Sequence, residues 1–469
     1  MFTRLKIKPR VQGDLRAMTV HAVTVYAGQI AIMGFGVTDT IVAGRHSELS
    51  LAALSIASAV FITVFVSLMG LVTALLPIWA EMHGARRPRD IGPSIRQTLY
   101  VCALASAVGM VVLFHPAPIF RWTEIPEPLQ PMVRSYLAVI GWSLPAALLF
   151  RVYSTLNQSI GKPQLVSWLQ VAALVVKIPL SVALTFGMAG LPEMGIVGCA
   201  WATFIVNFFL LGLGLLLLAT QRLYLPLQLW RPLELPNRRV LAEFARLGVP
   251  AALTILVEIT SFTLMALFIA RLGTTSAAAH QIAANVTAVL FMTPLSLAVA
   301  ASARVGFWRG AGDEARARAV ALQAFRVSLV LGLLLAGLLF SWRRRIVGVY
   351  TGDVGVALMA VHLLAWIAVF HVADSVQTVA IFVLRCYRVT IAPMIIYCLL
   401  LWGVGLAGGY TLAYRGLGPW VAQYSPVAFW QAASAGLILT AVVVHLLLRW
   451  ASWRVSSRAT IPAAAVNSA

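Results

Sequence analysis

Acidic residues are scarce in this chain. Fifteen Asp and Glu stand against 35 Lys and Arg in 469 residues, and charges of both signs make up only 11% of it. A soluble domain carries about 25% charged and about 45–50% apolar residues, whereas 61% of this chain is hydrophobic, with a mean hydropathy of +0.89. An ordinary globular surface is thereby excluded. Cysteine is scarce too. Cys102, Cys199, Cys386 and Cys398 sit singly in or beside apolar runs and form no CxxC pair, which argues against a disulfide framework or a cysteine zinc site. The eight histidines form neither an HExxH motif nor a paired cluster, and no loop gathers acids that would hold Mg²⁺. No cofactor is expected. Proline is absent between Pro9 and Pro77, so nothing in the first apolar run provides a proline bend.

What is present is apolar sequence in long stretches. About 20 apolar residues cross the hydrocarbon core as a helix, and twelve such spans are expected at 17–44, 50–80, 93–115, 131–156, 164–190, 195–221, 243–272, 278–308, 318–341, 358–384, 391–414 and 428–450. The longest break, 222–242, holds the prolines Pro226, Pro232 and Pro236 and the arginines Arg222, Arg231, Arg238 and Arg239, and it divides the spans into six and six. The expected organisation is a basic cytoplasmic leader (1–16), an N-terminal six-helix lobe (17–221), a cytoplasmic linker (222–242), a C-terminal six-helix lobe (243–450) and a cytoplasmic tail (451–469). The fold class is therefore all-α and integral to the membrane.

The net charge of +20 raises nucleic acid as a partner. Its distribution argues against that, because the basic residues fall in short segments between spans, as the positive-inside rule describes. An N-terminus placed inside puts most Lys and Arg, including Arg96, Arg385 and Arg388, on inside segments, and both termini are then cytoplasmic. Arg343–Arg345 is the exception. Either it faces out or the ninth span is misplaced. The halves also repeat: a shift of 226 residues aligns Ala52 with Ala278, Ile56 with Ile282, Leu71 with Leu297, Gly84 with Gly310 and Ala85 with Ala311. Two parallel six-span repeats are a common transporter plan, with binding sites near the midplane.

Only Asp39, Glu258 and Asp374 lie deep in spans. A charge there costs about 2.5–3.5 kcal/mol on insertion scales, so each is a functional candidate by default. Thr260 and Ser261 follow Glu258; His371, Ser375, Gln377 and Thr378 surround Asp374. A lone His such as His371 is commonly a hydrogen-bonded interior residue. Lys177, the one deep lysine, requires a partner, and Pro179 beside it is expected to bend its helix. Arg151 falls in the fourth span, near its end.

These residues resemble the multidrug and toxic compound extrusion (MATE) transporters, in their NorM-like branch. The resemblance rests on Val37-Thr-Asp-Thr-Ile-Val-Ala-Gly44, Pro77-Ile-Trp-Ala-Glu-Met-His-Gly-Ala85, Gly161-Lys-Pro, Ile178-Pro-Leu and Gly198-Cys-Ala-Trp-Ala-Thr203. It continues through Leu247-Gly-Val-Pro, Glu258, Ala279-His-Gln-Ile-Ala283, Gly310-Ala-Gly and Asp374 with Leu384-Arg. It implies a V-shaped two-lobe fold of twelve transmembrane helices. It implies export of small organic cations or amphipathic drugs across the bacterial inner membrane in exchange for H⁺ or Na⁺, by a monomer in the lipid bilayer and not by an enzyme. Glu258 and Asp374 match the C-lobe coupling acids, which would also hold Na⁺, with Ser261, His371, Gln377 and Gln281 in support. Asp39 matches the N-lobe acid, with Lys177, Ser181 and Thr203. Lys177 and Ser181 replace the family's usual Asn pair, and an Asp39–Lys177 ion pair is expected. Phe370 replaces a cation-binding Tyr, which favours H⁺. Alternatives are a lipid-linked precursor flippase, against which the deep acids argue, and a membrane-embedded enzyme, for which no acid dyad or Asp-rich loop is seen.

Overall fold

The structure, a computed structural model, describes residues 9–123, 126–416 and 421–459, so leader residues 1–8 and tail residues 460–469 lie outside the described residues. The described residues are helical, with no strand among them. Helix α1 (Pro9–His46) runs unbroken, as its lack of interior proline permits. It therefore takes in half of the expected leader. Ser47 caps α2 (Glu48–Thr73), its hydroxyl accepting from the Ser50 N–H at 3.0 Å. α3 (Leu76–Gly84) completes the same span, and α4 (Pro88–Phe114) starts on a proline, which suits a first helical turn.

After the short α5 (Ala117–Thr123), α6 (Gln130–Gly141) and α7 (Leu144–Ser159) meet at 47°. The break has a local cause. Pro145 has no N–H to continue the α6 ladder. The expected single span at 131–156 is thus a bent pair. α8 (Pro163–Phe186) continues through Pro179 and stops at Gly187, whose φ of +69° is the left-handed conformation glycine adopts readily. α9 (Ile196–Thr220) follows.

The second half begins with α10 (Arg238–Ala270), α11 (Thr274–Gly310) and α12 (Glu314–Tyr350). The repeat holds at the helix ends. Glu48 and Thr274 start corresponding helices, Gly84 and Gly310 end them, and Pro88 and Glu314 start the next, each pair 226 residues apart. α12 continues past the expected end at 341, so Arg343–Arg345 occupies its last turns instead of a loop. Asp353 caps α13 (Val354–Cys386), accepting from the Val356 N–H at 2.7 Å. One span contains α14 (Ile391–Tyr397), a ten-residue π-helical stretch (Cys398–Ala407) and α15 (Gly408–Tyr414). α16 (Pro426–Ala459) is last. Among the described residues eleven helices are long and apolar enough to span a membrane, or twelve with the bent pair counted as one span.

Residues 24–252 form one compact unit. The described residues up to Val23, together with those from Leu253 on, form the other. The boundaries therefore fall inside α1 and inside α10, whereas the lobes expected from sequence began at 17 and 243. The start of α1 is held in the second unit by Asp14, almost fully enclosed, whose carboxylate accepts from Arg304 Nε and Arg316 Nε, both at 2.7 Å. The expected linker, 222–242, belongs to the first unit and is strapped to α4. Arg96 donates to the Gln228 carbonyl at 2.7 Å and pairs with Glu234, Gln97 reaches the Leu235 carbonyl, and Tyr100 reaches that of Glu234. A side chain at Gly92 would collide with the Leu227 carbonyl, so the strap needs glycine there. Arg96, counted with the inside charges at the start of the third span, is buried.

Each unit has its own apolar core. In the second unit α13 packs against α11, α12 and α16 around Leu363, Ile367, Phe429 and Trp430. Large apolar side chains such as Leu104, Val175, Leu334 and Leu446 are left exposed, as helices facing lipid require.

Candidate functional site

In the first unit, α1, α8 and α9 bring Asp39, Lys177, Ser181 and Thr203 together. Lys177 has no exposed surface and Asp39 keeps 6%. The lysine Nζ lies 2.7 Å from Asp39 Oδ1 and 3.0 Å from Oδ2. It also donates to the Thr203 hydroxyl at 2.6 Å and faces the Cys199 carbonyl at 3.2 Å, so every direction around the ammonium meets an oxygen. Ser181 donates to Asp39 Oδ1 at 3.1 Å. Lys177 and Ser181 stand four residues apart on α8, one turn and hence one face. The ionised pair sums to no net charge.

The second unit carries the other acids. Asp374, 3% exposed, sits on α13. Its Oδ1 accepts from the Gln377 side-chain amide at 3.1 Å and faces the Thr378 hydroxyl at 3.4 Å. Both donors lie three or four residues on, so helical spacing alone delivers them. Glu258, half-buried on α10, lies in the electrostatic field of Asp374 and of Arg385. The Trp402 indole, in the π-helical stretch, donates to the Val257 carbonyl at 3.1 Å and so fixes the backbone next to Glu258. Stretches of π-helix are rare and frequent at functional sites.

Two members of this cluster were not named as site candidates from the sequence, Arg385 entering the resemblance only through the family motif Leu384-Arg. Arg385, placed above among inside-loop charges, is 4% exposed, with its guanidinium 4.2 Å from the Phe382 ring centre. Tyr397 is buried, and its hydroxyl bonds to the Gln377 amide. A phenol oxygen thus enters this cluster from α14. Phe370 itself packs edge-on against Phe262 and Trp430. The only signal for Tyr397 was a polar tip in an apolar span. Glu258, Asp374 and Arg385, all ionised, leave one negative charge uncompensated.

The remaining candidates are placed differently. His371 is buried and faces the Ser375 hydroxyl at 3.5 Å, with no bond to either acid among the described residues. Ser261 is buried on α10. Thr260 donates to its own helix at Leu256 and Val257. Gln281 lies on an exposed face of α11, its amide 3.4 Å from Asn285, so it supports neither acid by a hydrogen bond. No group of three or more His, Cys, Asp or Glu is arranged to hold a metal ion among the described residues.

The chain matches the MatE family profile over residues 25–183 and 250–411. A protein described as a probable multidrug resistance protein NorM, from Aromatoleum aromaticum, is 35% identical over 92% of each chain. Another so described, from Chromobacterium violaceum, is 33% identical over 96% of each. The crystal structure of a eukaryotic MATE transporter superposes with a TM-score of 0.83 at 17% identity, over 95% of this chain and 99% of the other. With the family profile spanning both halves and such relatives matching nearly end to end, the chain is a multi-pass membrane protein that belongs to the MatE family.

Proposed function

We propose that this protein is a secondary antiporter that exports cationic or amphipathic organic compounds across a bacterial inner membrane in exchange for protons. Its coupling site is Glu258 with Asp374, its termini are cytoplasmic and it works as a monomer. The observation that carries the reading is the charge balance of the second unit, where two carboxylates share one apolar environment with a single cation, Arg385. One bound proton completes neutrality there. An organic cation is drawn to the same excess charge, so proton and cargo compete. Each shifts the protein only by its difference in affinity between conformations. The export of drugs follows from the relatives' description as multidrug resistance proteins.

A second reading, Na⁺ as coupling ion, is favoured by two oxygens. Gln377 Oε1 is enclosed without a hydrogen-bond donor, and the Tyr397 hydroxyl stands beside that amide. With the carboxylates they form an oxygen set suited to a hard cation. Dye efflux from proteoliposomes under separately imposed pH and Na⁺ gradients decides between the ions. Efflux driven by the pH gradient in Na⁺-free buffer and lost in Glu258→Gln and Asp374→Asn is the expected result. Efflux that responds to Na⁺ alone overturns the proton reading, and efflux untouched by both substitutions overturns the site.

A further inference from the structure

α12 and α16 both pack against α13 and leave a groove between them, floored by α13. Its volume is about 630 Å³, inside the range of about 300–1,000 Å³ found for ligand pockets. Leu329 lines one wall, Val442 and Leu446 the other, and the floor runs from Val369 to Val376. Leu329, Val369, Val442 and Leu446 are exposed, so the groove is open along its side. No charged residue lines it among the described residues, and His445 is its one polar side chain. At His445 the walls meet: its ring stands edge-on to Phe325 of α12, with centres 5.3 Å apart. Open apolar walls of this kind suit a hydrocarbon chain and repel a hydrated ion.

The end near His445 is basic. Arg326 lies three residues before Leu329 and Arg449 three residues after Leu446, so each stands one turn beyond a wall residue on the same face of its helix. Both are exposed. α12 carries no charge between Arg326 and Arg343, and α16 carries none before Arg449, so the two arginines mark an edge of the apolar layer. With two spans between them, α12 begins on the membrane face where α16 ends, which puts both arginines at the same edge. α12 contains no acid after Glu314 and α16 contains none, so the charge these two helices bring to that edge is of one sign. Basic sites between helices at the membrane surface suit anionic head groups, and guanidinium groups bind phosphate oxygens through paired hydrogen bonds.

We propose that the groove between α12, α13 and α16 binds one tail of an anionic phospholipid, whose phosphate is held by Arg326 and Arg449. The tail covers the apolar walls and the phosphate meets the two cations, so the polarity of the lipid matches that of the groove from end to end. A phospholipid of no net charge meets the same walls but brings a cationic group to a basic edge. On the topology proposed above, the lipid belongs to the cytoplasmic leaflet. The floor residues Val372, Ala373 and Val376 fall on the face of α13 next to the one that carries Asp374. A seated tail therefore braces the turn that holds this acid. That effect on coupling rests on the role proposed for Asp374, whereas the binding does not.

The test uses the full-length protein, stripped of lipid in a neutral detergent. Phosphatidylglycerol, phosphatidylcholine with the same tails, or oleate is added stepwise while the melting temperature is followed. Phosphatidylglycerol should raise it saturably and at lower concentration than the other two. Arg326→Gln combined with Arg449→Gln should raise the phosphatidylglycerol concentration at half-saturation about 30-fold. Both side chains are exposed, so without lipid this variant should melt like the wild type. Val442→Trp fills the groove from an exposed position and should abolish the response. Equal responses to phosphatidylglycerol and phosphatidylcholine, oleate as effective as phosphatidylglycerol, or a response that survives both variants overturns the proposal. If Val442→Trp does not fold, a phosphatidylglycerol with a photoreactive tail decides. Labelling of 369–376 and 438–446 that unlabelled phosphatidylglycerol competes away and phosphatidylcholine does not supports the site. Labelling spread over other helices, or competed equally by both lipids, overturns it. Melting and labelling read binding alone, so their outcome is independent of which ion drives efflux.

Discussion

The two acid clusters solve the same electrostatic problem in opposite ways. In residues 24–252 the carboxylate of Asp39 meets a lysine at hydrogen-bond distance, and the pair is closed: charge is balanced and Lys177 is surrounded by oxygens. In the other unit Glu258 lies in the field of both Asp374 and Arg385, the arginine bonds to neither acid among the described residues, and charge is left over. A closed pair has nothing to gain from a passing cation. An open one does. The repeat that relates the halves so closely in helix ends has therefore not preserved equivalent chemistry in them.

The comparison is broken most severely at Lys177. Lys177→Met leaves Asp39 buried and alone, and removing one member of a buried pair costs about 3–5 kcal/mol. Thermal melting in detergent should show the loss, and Asp39→Lys combined with Lys177→Asp should recover part of it. Failure of the exchange to recover anything would mean that position, and not pairing, dominates. Next is the open cluster. Glu258→Gln and Asp374→Asn should abolish coupled efflux yet leave melting unchanged or raised, since each removes an uncompensated charge. Stability lost on the scale of Lys177→Met would erase the distinction between the two clusters. Smaller again is Tyr397→Phe, which takes one oxygen from the Gln377 network at a cost of about 1 kcal/mol. Efflux rates should fall modestly, and more under a Na⁺ gradient than under a pH gradient if Na⁺ is carried. The smallest effect is expected of Gln281→Ala, within about 0.5 kcal/mol in melting, with efflux unaltered. A large loss of efflux would return Gln281 to the site.

These differences were unevenly legible in the sequence. Asp39 and Lys177 stood out because an apolar span makes any charge conspicuous, and the cost of either alone, together with the place of Lys177 in the family resemblance, pointed each to the other. Gln377 and Thr378 follow from Asp374 by helical spacing. Tyr397 and Arg385 do not. Tyr397 reaches Gln377 from the next helix, across the turn at 387–390, and the facing of two helices is set by packing that no period within one helix encodes. Arg385 sits at the end of α13, where a basic residue reads equally as a loop charge or a buried one. Gln281 illustrates the converse. A polar residue on an apolar helix looks functional whichever side it faces, and this one is exposed, with its amide toward Asn285 of its own helix. The bend between α6 and α7 had its cause in plain view at Pro145, but an apolar count over 131–156 passes straight across it.

The position of the unit boundaries bears on mechanics. Because the segment 222–242 is strapped to α4, it provides no slack between the units. The chain crosses instead within helices, between Val23 and Thr24 and between Ala252 and Leu253. A continuous helix is a stiff rod, and the two rods differ. α10 carries Pro250, which deletes a rung of its backbone ladder two residues before the crossing, while α1 has no interior proline. Any bending load is therefore shared unequally, with α10 the compliant member and α1 the strut.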